Sequence, residues 1–161
     1  MQNPKRMIFV SHSHKDNRFC LKLINKLRES GFDVWYDEQQ LAAGDELGPI
    51  IEHELEIRNV LIVVLSSSSL NSTWVEKEVR MFDKLRINDS SRLIIPVVIE
   101  KIRDESKIWL FIRDLKRIER DNKSPYGADE AIAKTIDVLS RYYSIPNSNQ
   151  PNRNSVPADH R

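Results

Sequence analysis

Two glutamates stand two residues apart in SSSSLNSTWVEKEVRMF, residues 66–82, and the spacing gives them different surroundings. On a helix turning ~100° per residue, Val79 and Phe82 fall within roughly 40° of Val75, which defines an apolar face. Glu76 lies roughly 100° from Val75, on the wet side. Glu78 lies inside the apolar arc, between Phe82 and Leu85, with Trp74 one turn earlier on the same flank. Glu76 has a local task available: Thr73-Trp74-Val75-Glu76 fits a capping box, in which the glutamate reaches back to a free amide at the helix start. No such task offers itself for Glu78, so a carboxylate on an apolar flank is the first candidate for chemistry.

Other polar residues gather at the ends of short apolar segments: Ser11-His12-Ser13, Asp37-Glu38, Ser66 to Ser69, and Glu100. Rival constellations are weak. The chain has no GxGxxG and no GxxxxGK[ST], and GDELG is too short to stand in for either. His12 and His14 lie two apart, and His53 opens HELE without the second histidine of a zinc-protease helix, so no metal site is expected. The serine run has no histidine and carboxylate spaced to suggest a triad and reads as turn and cap residues. Lys116, Arg117 and Arg120 are interrupted by Asp114, Glu119 and Asp121 and read as a solvated face. The single cysteine, Cys20, follows Phe19 on a helical pattern and reads as a packed thiol.

The elements that must position these residues alternate. MIFVS (7–11), DVWYD (33–37), NVLIVVLS (59–66) and RLIIPVVIE (92–100) have strand length and β-branched or aromatic content. Between them run helical patterns through Phe19, Leu23, Ile24 and Leu27, and through Leu47, Ile50, Ile51, Glu54 and Leu55. Ser13 stands ahead of the first helix, and Pro49 after Gly48 suits a first helical turn. A last helix is expected over 128–143. IRDESKIWLFIRDLKRIERD holds either a fifth strand around Ile108 to Ile112 or a helix. Near-continuous apolar strands in an alternating chain imply a parallel sheet covered on both faces. Ligands of such sheets bind beyond the carboxyl ends of the strands, where the candidate polar residues lie.

Of 161 residues, 40% are hydrophobic, enough for one core. The domain is expected over 5–143, with a short extension at 1–4 and a tail or linker rich in asparagine, serine and proline at 144–161. Lysine and arginine total 25 against 24 acidic residues, so no overall field favours nucleic acid or an anionic membrane. The longest apolar run is far short of a span and the start is no secretory signal, so a soluble, cytoplasmic chain is expected.

MIFVSHSHKD, FDVWYDEQQLAAGDELGPIIEHEL and NVLIVVLSSSSLNSTWVEKEV together resemble the Toll/interleukin-1 receptor, or TIR, domain in order and spacing, over roughly residues 5 to 100 and more loosely beyond. The resemblance implies a flavodoxin-like α/β fold of three layers with a five-stranded parallel sheet. Many TIR domains cleave NAD+, while most animal receptor and adaptor members assemble signalling complexes without catalysis. The enzymes carry a glutamate within Trp-x-x-x-Glu after the third strand, and WVEKE supplies it. Carried over, Glu78 is the catalytic residue, Trp74 its aromatic companion, and Ser11, His12, Ser13, Asp37 and the loop around Leu41 line the pocket.

The implied reaction treats NAD+ as substrate and needs no resident cofactor. Nicotinamide leaves the pyridinium as a neutral ring, so no general acid is required, and one carboxylate facing the ribose can stabilise the growing positive charge. Attack by water gives ADP-ribose; attack from within gives a cyclic isomer. The resemblance also implies homotypic TIR association through the loop LAAGDELG, in immune or cell-death signalling, with a fused or separate sensor or effector domain. The competing readings are a non-catalytic TIR scaffold and a phosphoacceptor receiver domain. The receiver would need an aspartate ending the third strand, where this chain has Ser66.

Overall fold

The computed structural model describes residues 5–37, 44, 46–103 and 106–144. Among them five strands form one sheet: β1 Met7–Ser11, β2 Asp33–Trp35, β3 Val60–Leu65, β4 Leu93–Val98 and β5 Ile118–Glu119. Their order is β2-β1-β3-β4-β5, and every pairing is parallel. The helices are α1 Asn17–Glu29, α2 Leu47–Ile57, a single turn α3 Ser67–Leu70, α4 Thr73–Asn88, a short α5 Trp109–Ile112 and α6 Gly127–Ser144. Parallel strands need long crossovers, and the helical segments of the sequence supply them.

The period-2 alternation of each strand sorts side chains between two cores. Ile8, Val10, Val34, Ile62, Val64, Ile95 and Val97 pack under α1 and α6, where Cys20 and Leu23 are fully buried. Phe9, Trp35, Leu61, Val63, Leu65 and Ile94 pack under α2, α4 and α5. Three layers result, as the expected flavodoxin-like arrangement requires. Burial pushes the Cys20 thiol upward, so it is a packed and inert group. Helix α1 ends on Gly31 at φ 87°, a left-handed position open to glycine at little steric cost, where the Gly31 and Phe32 amides close on the carbonyls of Arg28 and Leu27.

Of the two alternatives for the segment 108–112 the helix holds: Trp109–Ile112 folds as a helical turn because Ile108, Trp109 and Ile112 bury together on one side, and the fifth strand follows at 118–119. Three expectations need correction. The expected strand at 33–37 ends at Trp35. The cap of helix α4 lies one residue before the expected one: Ser72, not Thr73, caps it, accepting the Val75 amide at 3.3 Å. Glu76 therefore makes no capping box, and pairs with Arg80 one turn on at 3.5 Å. The reciprocal box lies instead in the serine run, between Ser66 and Ser69. Pro49 does sit in the first turn of α2, and the last helix extends from Gly127 to Ser144. Residues 1–4 and 145–161 lie outside the described residues.

Candidate functional site

The order in which strands are added reverses between β1 and β3, so the loops leaving these parallel strands diverge and open a crevice at their carboxyl ends. A cleft of about 380 Å³ lies on this edge, lined by His12, Ser13, His14, Asp37, Leu47, Ser72 and Trp74. Each arrives from a different element end. His12 to His14 follow β1, Asp37 follows β2, Leu47 opens α2, and Ser72 and Trp74 open α4.

Glu78 does not line this cleft but lies close to two residues that do, Asp37 and Trp74. Its side chain is 2% exposed, as its place inside the apolar arc of α4 requires. Phe9 and Ser11 share one face of β1, the face that packs on α4, and Phe9 joins Val75, Val79 and Phe82 in the core. Ser11 is the next side chain along that face, 1% exposed, and its hydroxyl donates a hydrogen bond to Glu78 Oε2. Ser11 thus leaves the expected pocket lining and holds the buried carboxylate instead. Trp74 Nε1 donates to Asp37 Oδ2 at 2.6 Å, joining the start of α4 to the end of β2. Lys77 Nζ lies 5.5 Å from the Trp74 ring centroid.

The electrostatics follow from this packing. Burial raises the Glu78 carboxyl well above its ordinary range, and the like charge of Asp37 pushes it the same way; the Ser11 hydroxyl and the Trp74 indole act against them. Glu78 is a buried carboxylate with hydroxyl and indole donors beside it and another carboxylate nearby. A cation brought into the cleft would favour its ionised form, and that is the arrangement a positively charged substrate would exploit.

Around this centre the polar groups are tied down. His12 is 8% exposed and its Nε2 lies 2.9 Å from Asn17 Oδ1. Ser66 Oγ donates to Asp16 at 2.5 Å, fastening the turn after β1 to the end of β3, and burial raises the Asp16 carboxyl. Glu100 accepts the Ser67 amide, which holds its carboxyl low. Asn17 and Ser72 were not singled out by the sequence. Asn17 follows a 3₁₀ turn at His14–Asp16 that no local pattern announced, and the Ser72 cap was masked by the better capping-box match one residue later. His12, Ser13, Asp37 and Trp74 come together at the cleft as expected. Leu41 lies outside the described residues, as do Glu38, Ala42, Ala43 and Asp45. Gly44 is described, at φ 95°, a conformation that suits a sharp turn.

The family described as TIR domain matches residues 8–135. The chain belongs to the TIR domain family. A TIR protein of Paracoccus denitrificans (strain Pd 1222), named NAD(+) hydrolase PdTIR, is 35% identical over 137 residues, 84% of this chain and 45% of that protein. A TIR protein of Bacteroides thetaiotaomicron, named 2' cyclic ADP-D-ribose synthase BtTIR, is 34% identical over 98 residues, 60% of this chain and 34% of that protein. The chain spans less than half the length of these curated relatives. The TIR domain of the Toll-related receptor TRR-2 from Hydra magnipapillata superposes with a TM-score of 0.65 at 16% identity, covering 83% of this chain and 97% of that one. This TIR fold is the five-stranded parallel sheet expected from the sequence. No helix among the described residues is long and apolar enough to cross a membrane.

Proposed function

We propose that this TIR domain is an NAD+ nucleosidase, cleaving the bond between nicotinamide and ribose with Glu78 as the catalytic carboxylate. The observation that carries the reading is the burial of Glu78 on α4, bonded to Ser11 and close to Trp74 and Asp37, which line the cleft. A buried carboxylate is costly unless it is used or paired, and here the neighbouring charge is of the same sign. The likeness to relatives named as an NAD(+) hydrolase and a cyclic ADP-ribose synthase supports the same reading.

On this account the pyridinium enters the cleft against Trp74 and Asp37, and its charge draws Glu78 into the ionised form. As the glycosidic bond lengthens, its electron pair goes to the ring nitrogen, and nicotinamide leaves neutral without a proton. Positive charge passes to the ribose, where the carboxylate stabilises it. Water then gives ADP-ribose and a proton, or an internal nucleophile gives a cyclic isomer. NAD+ is the substrate and no resident cofactor is called for. His12 and Ser13 contribute to substrate binding at the cleft edge.

Activation by self-association belongs to the same reading. Glu78 is closed off in the single chain, and Leu47, 46% exposed at the mouth of the cleft, offers an apolar step of the size that suits a weak contact between copies. The physiological setting would be immune or cell-death signalling, in the cytoplasm, with a sensor or effector domain attached or recruited. The test is purified protein incubated with NAD+ across a dilution series and assayed for nicotinamide by chromatography. Release whose rate per molecule rises with concentration supports both halves of the reading. Assembly in solution with no nicotinamide at any concentration would leave a scaffold. Gly44→Pro should flatten the concentration dependence, because proline cannot adopt the positive φ found there.

A further inference from the structure

Ser11 combines features that a simple packing residue would not have. It is the last residue of β1 and 1% exposed, and its neighbours along the strand, Ile8, Phe9 and Val10, are all apolar. A small apolar residue would fill the position at lower desolvation cost, since a buried hydroxyl must find a partner. Its partner is Oε2 of Glu78, sixty-seven positions away on another element. The bond is made to Oε2, one of the two carboxylate oxygens. Ser11 is also fixed within the sheet, where it pairs with Val63 of β3 in the parallel register.

We propose that Ser11 is a positioning residue for the reaction: its hydroxyl fixes the Glu78 rotamer and stabilises the ionised carboxylate in a site that would otherwise favour the neutral acid. The inference rests on the proposed role of Glu78 as the catalytic carboxylate. Two other groups bear on Glu78. Asp37 from the end of β2 opposes ionisation by like charge, and the Trp74 indole at the start of α4 favours it. His12, next along the chain from Ser11, is engaged by Asn17. Ser11 therefore supplies the direct hydrogen bond to Glu78, while the single Trp74 N–H is directed to Asp37. Both oppose the desolvation that burial imposes.

A hydrogen bond to a charged group is worth enough to move a carboxyl pKa by about one pH unit. Removing the hydroxyl should thus make Glu78 harder to ionise without emptying the core, since Ser11→Ala deletes one atom. Two measurements on the full chain test this. The first is the pH profile of nicotinamide release for the natural protein, Ser11→Ala and Ser11→Thr. The acid limb of Ser11→Ala should shift upward by about one pH unit, with rates approaching the natural protein's at high pH, and Ser11→Thr should restore the limb. The second is carbon-13 NMR titration of the Glu78 side-chain carboxyl, assigned with Glu78→Gln, which needs no turnover. It should show the same upward displacement in Ser11→Ala. An unmoved Glu78 titration in a folded Ser11→Ala protein overturns the proposal. So does a threonine variant that folds, keeps its hydroxyl on Glu78 by NMR and still behaves like alanine. If the natural protein releases no nicotinamide, the proposed enzymatic role of Glu78 fails, and the titration alone still decides whether Ser11 tunes the carboxylate.

Discussion

The two edges of the sheet treat buried charge in opposite ways. At the amino edge Arg58, 5% exposed, ends α2 and is answered in full: it donates to Glu54 Oε2 at 2.8 and 3.1 Å, to the Asp33 carbonyl at 3.2 Å and to its carboxylate at 3.4 Å. Arg92 beside it donates to the carbonyls of Leu55, Glu56 and Arg58, capping the same helix. At the carboxyl edge Glu78 is more deeply buried, yet its neighbours are a hydroxyl, an indole and a second carboxylate. The amino edge uses buried charge to join helix to strand, and the Arg58 donors all find acceptors, while Arg92 Nε is left with only the ion pair to Asp89 at 3.5 Å. The carboxyl edge keeps an ionisable group in surroundings that oppose its charge, a cost that a purely structural site would shed by substitution. The missing opposite charge is the one a cationic substrate would bring.

The largest expected effect breaks the paired edge. Arg58→Met keeps most of the aliphatic volume but strands Glu54 and Asp33. It should cost roughly 2–4 kcal/mol, less than a fully buried pair because Asp33 is exposed. Urea denaturation should show the loss, while nicotinamide release per folded molecule stays unchanged. Next is Trp74→Phe, which retains an aromatic ring and deletes the donor to Asp37. On the proposed reading kcat/KM for NAD+ should fall by about 10- to 100-fold with little change in melting temperature. A loss of stability in proportion to the loss of activity would make Trp74 a packing residue and weaken the contrast between the edges.

The contrast sharpens with pH. Glu78 has its folded pKa raised above its ordinary 4.5, so the native state holds a proton that the unfolded chain has already released. Its favourable contribution is complete below the unfolded pKa and is lost as pH rises through the folded one. Glutamine suffers no such loss. Glu78→Gln should therefore melt higher than the natural protein at pH 7.5, by roughly 0.5–2 kcal/mol, and the gap should close as pH falls toward 4. Equal stability at both pH values would mean that the carboxylate is not strained by burial. The smallest effect is expected where charge is solvated. Arg141 and Asp137, 2.7 Å apart but 77% and 58% exposed, should contribute under about 0.5 kcal/mol, so Arg141→Gln should leave both the melting temperature and activity within error.

Much of this was legible from residue spacing. The four main strands could be read from their apolar content, and the burial of Glu78 from a wheel that placed it between Phe82 and Leu85. Parity along β1 would also have found Ser11: Phe9 and Ser11 share a face, and Phe9 belongs to the core that holds Val75 and Val79. That step needs to know which face meets α4, and tertiary packing decides it. The start of α4 misled because Thr73 and Glu76 match a capping box while Ser72 lacks the distal partner. Side-chain pattern was outweighed there by the backbone path leaving α3. The fifth strand was missed because two residues, Ile118 and Glu119, pair with β4, too few to show a period. Asn17 became the partner of His12 only through the 3₁₀ turn between them.

The most direct test of the central claim sets the two glutamates against each other. Glu78→Gln and Glu76→Gln differ in position by half a helical turn, and both remove one carboxylate at nearly constant volume. Nicotinamide release from NAD+ should be measured for each beside the natural protein, at the concentration where it is most active and with folding checked by circular dichroism. The account predicts that Glu78→Gln loses at least about 10³-fold in rate while Glu76→Gln, which gives up only a partly exposed pairing with Arg80, stays within about threefold. Full activity in a folded Glu78→Gln protein would contradict it.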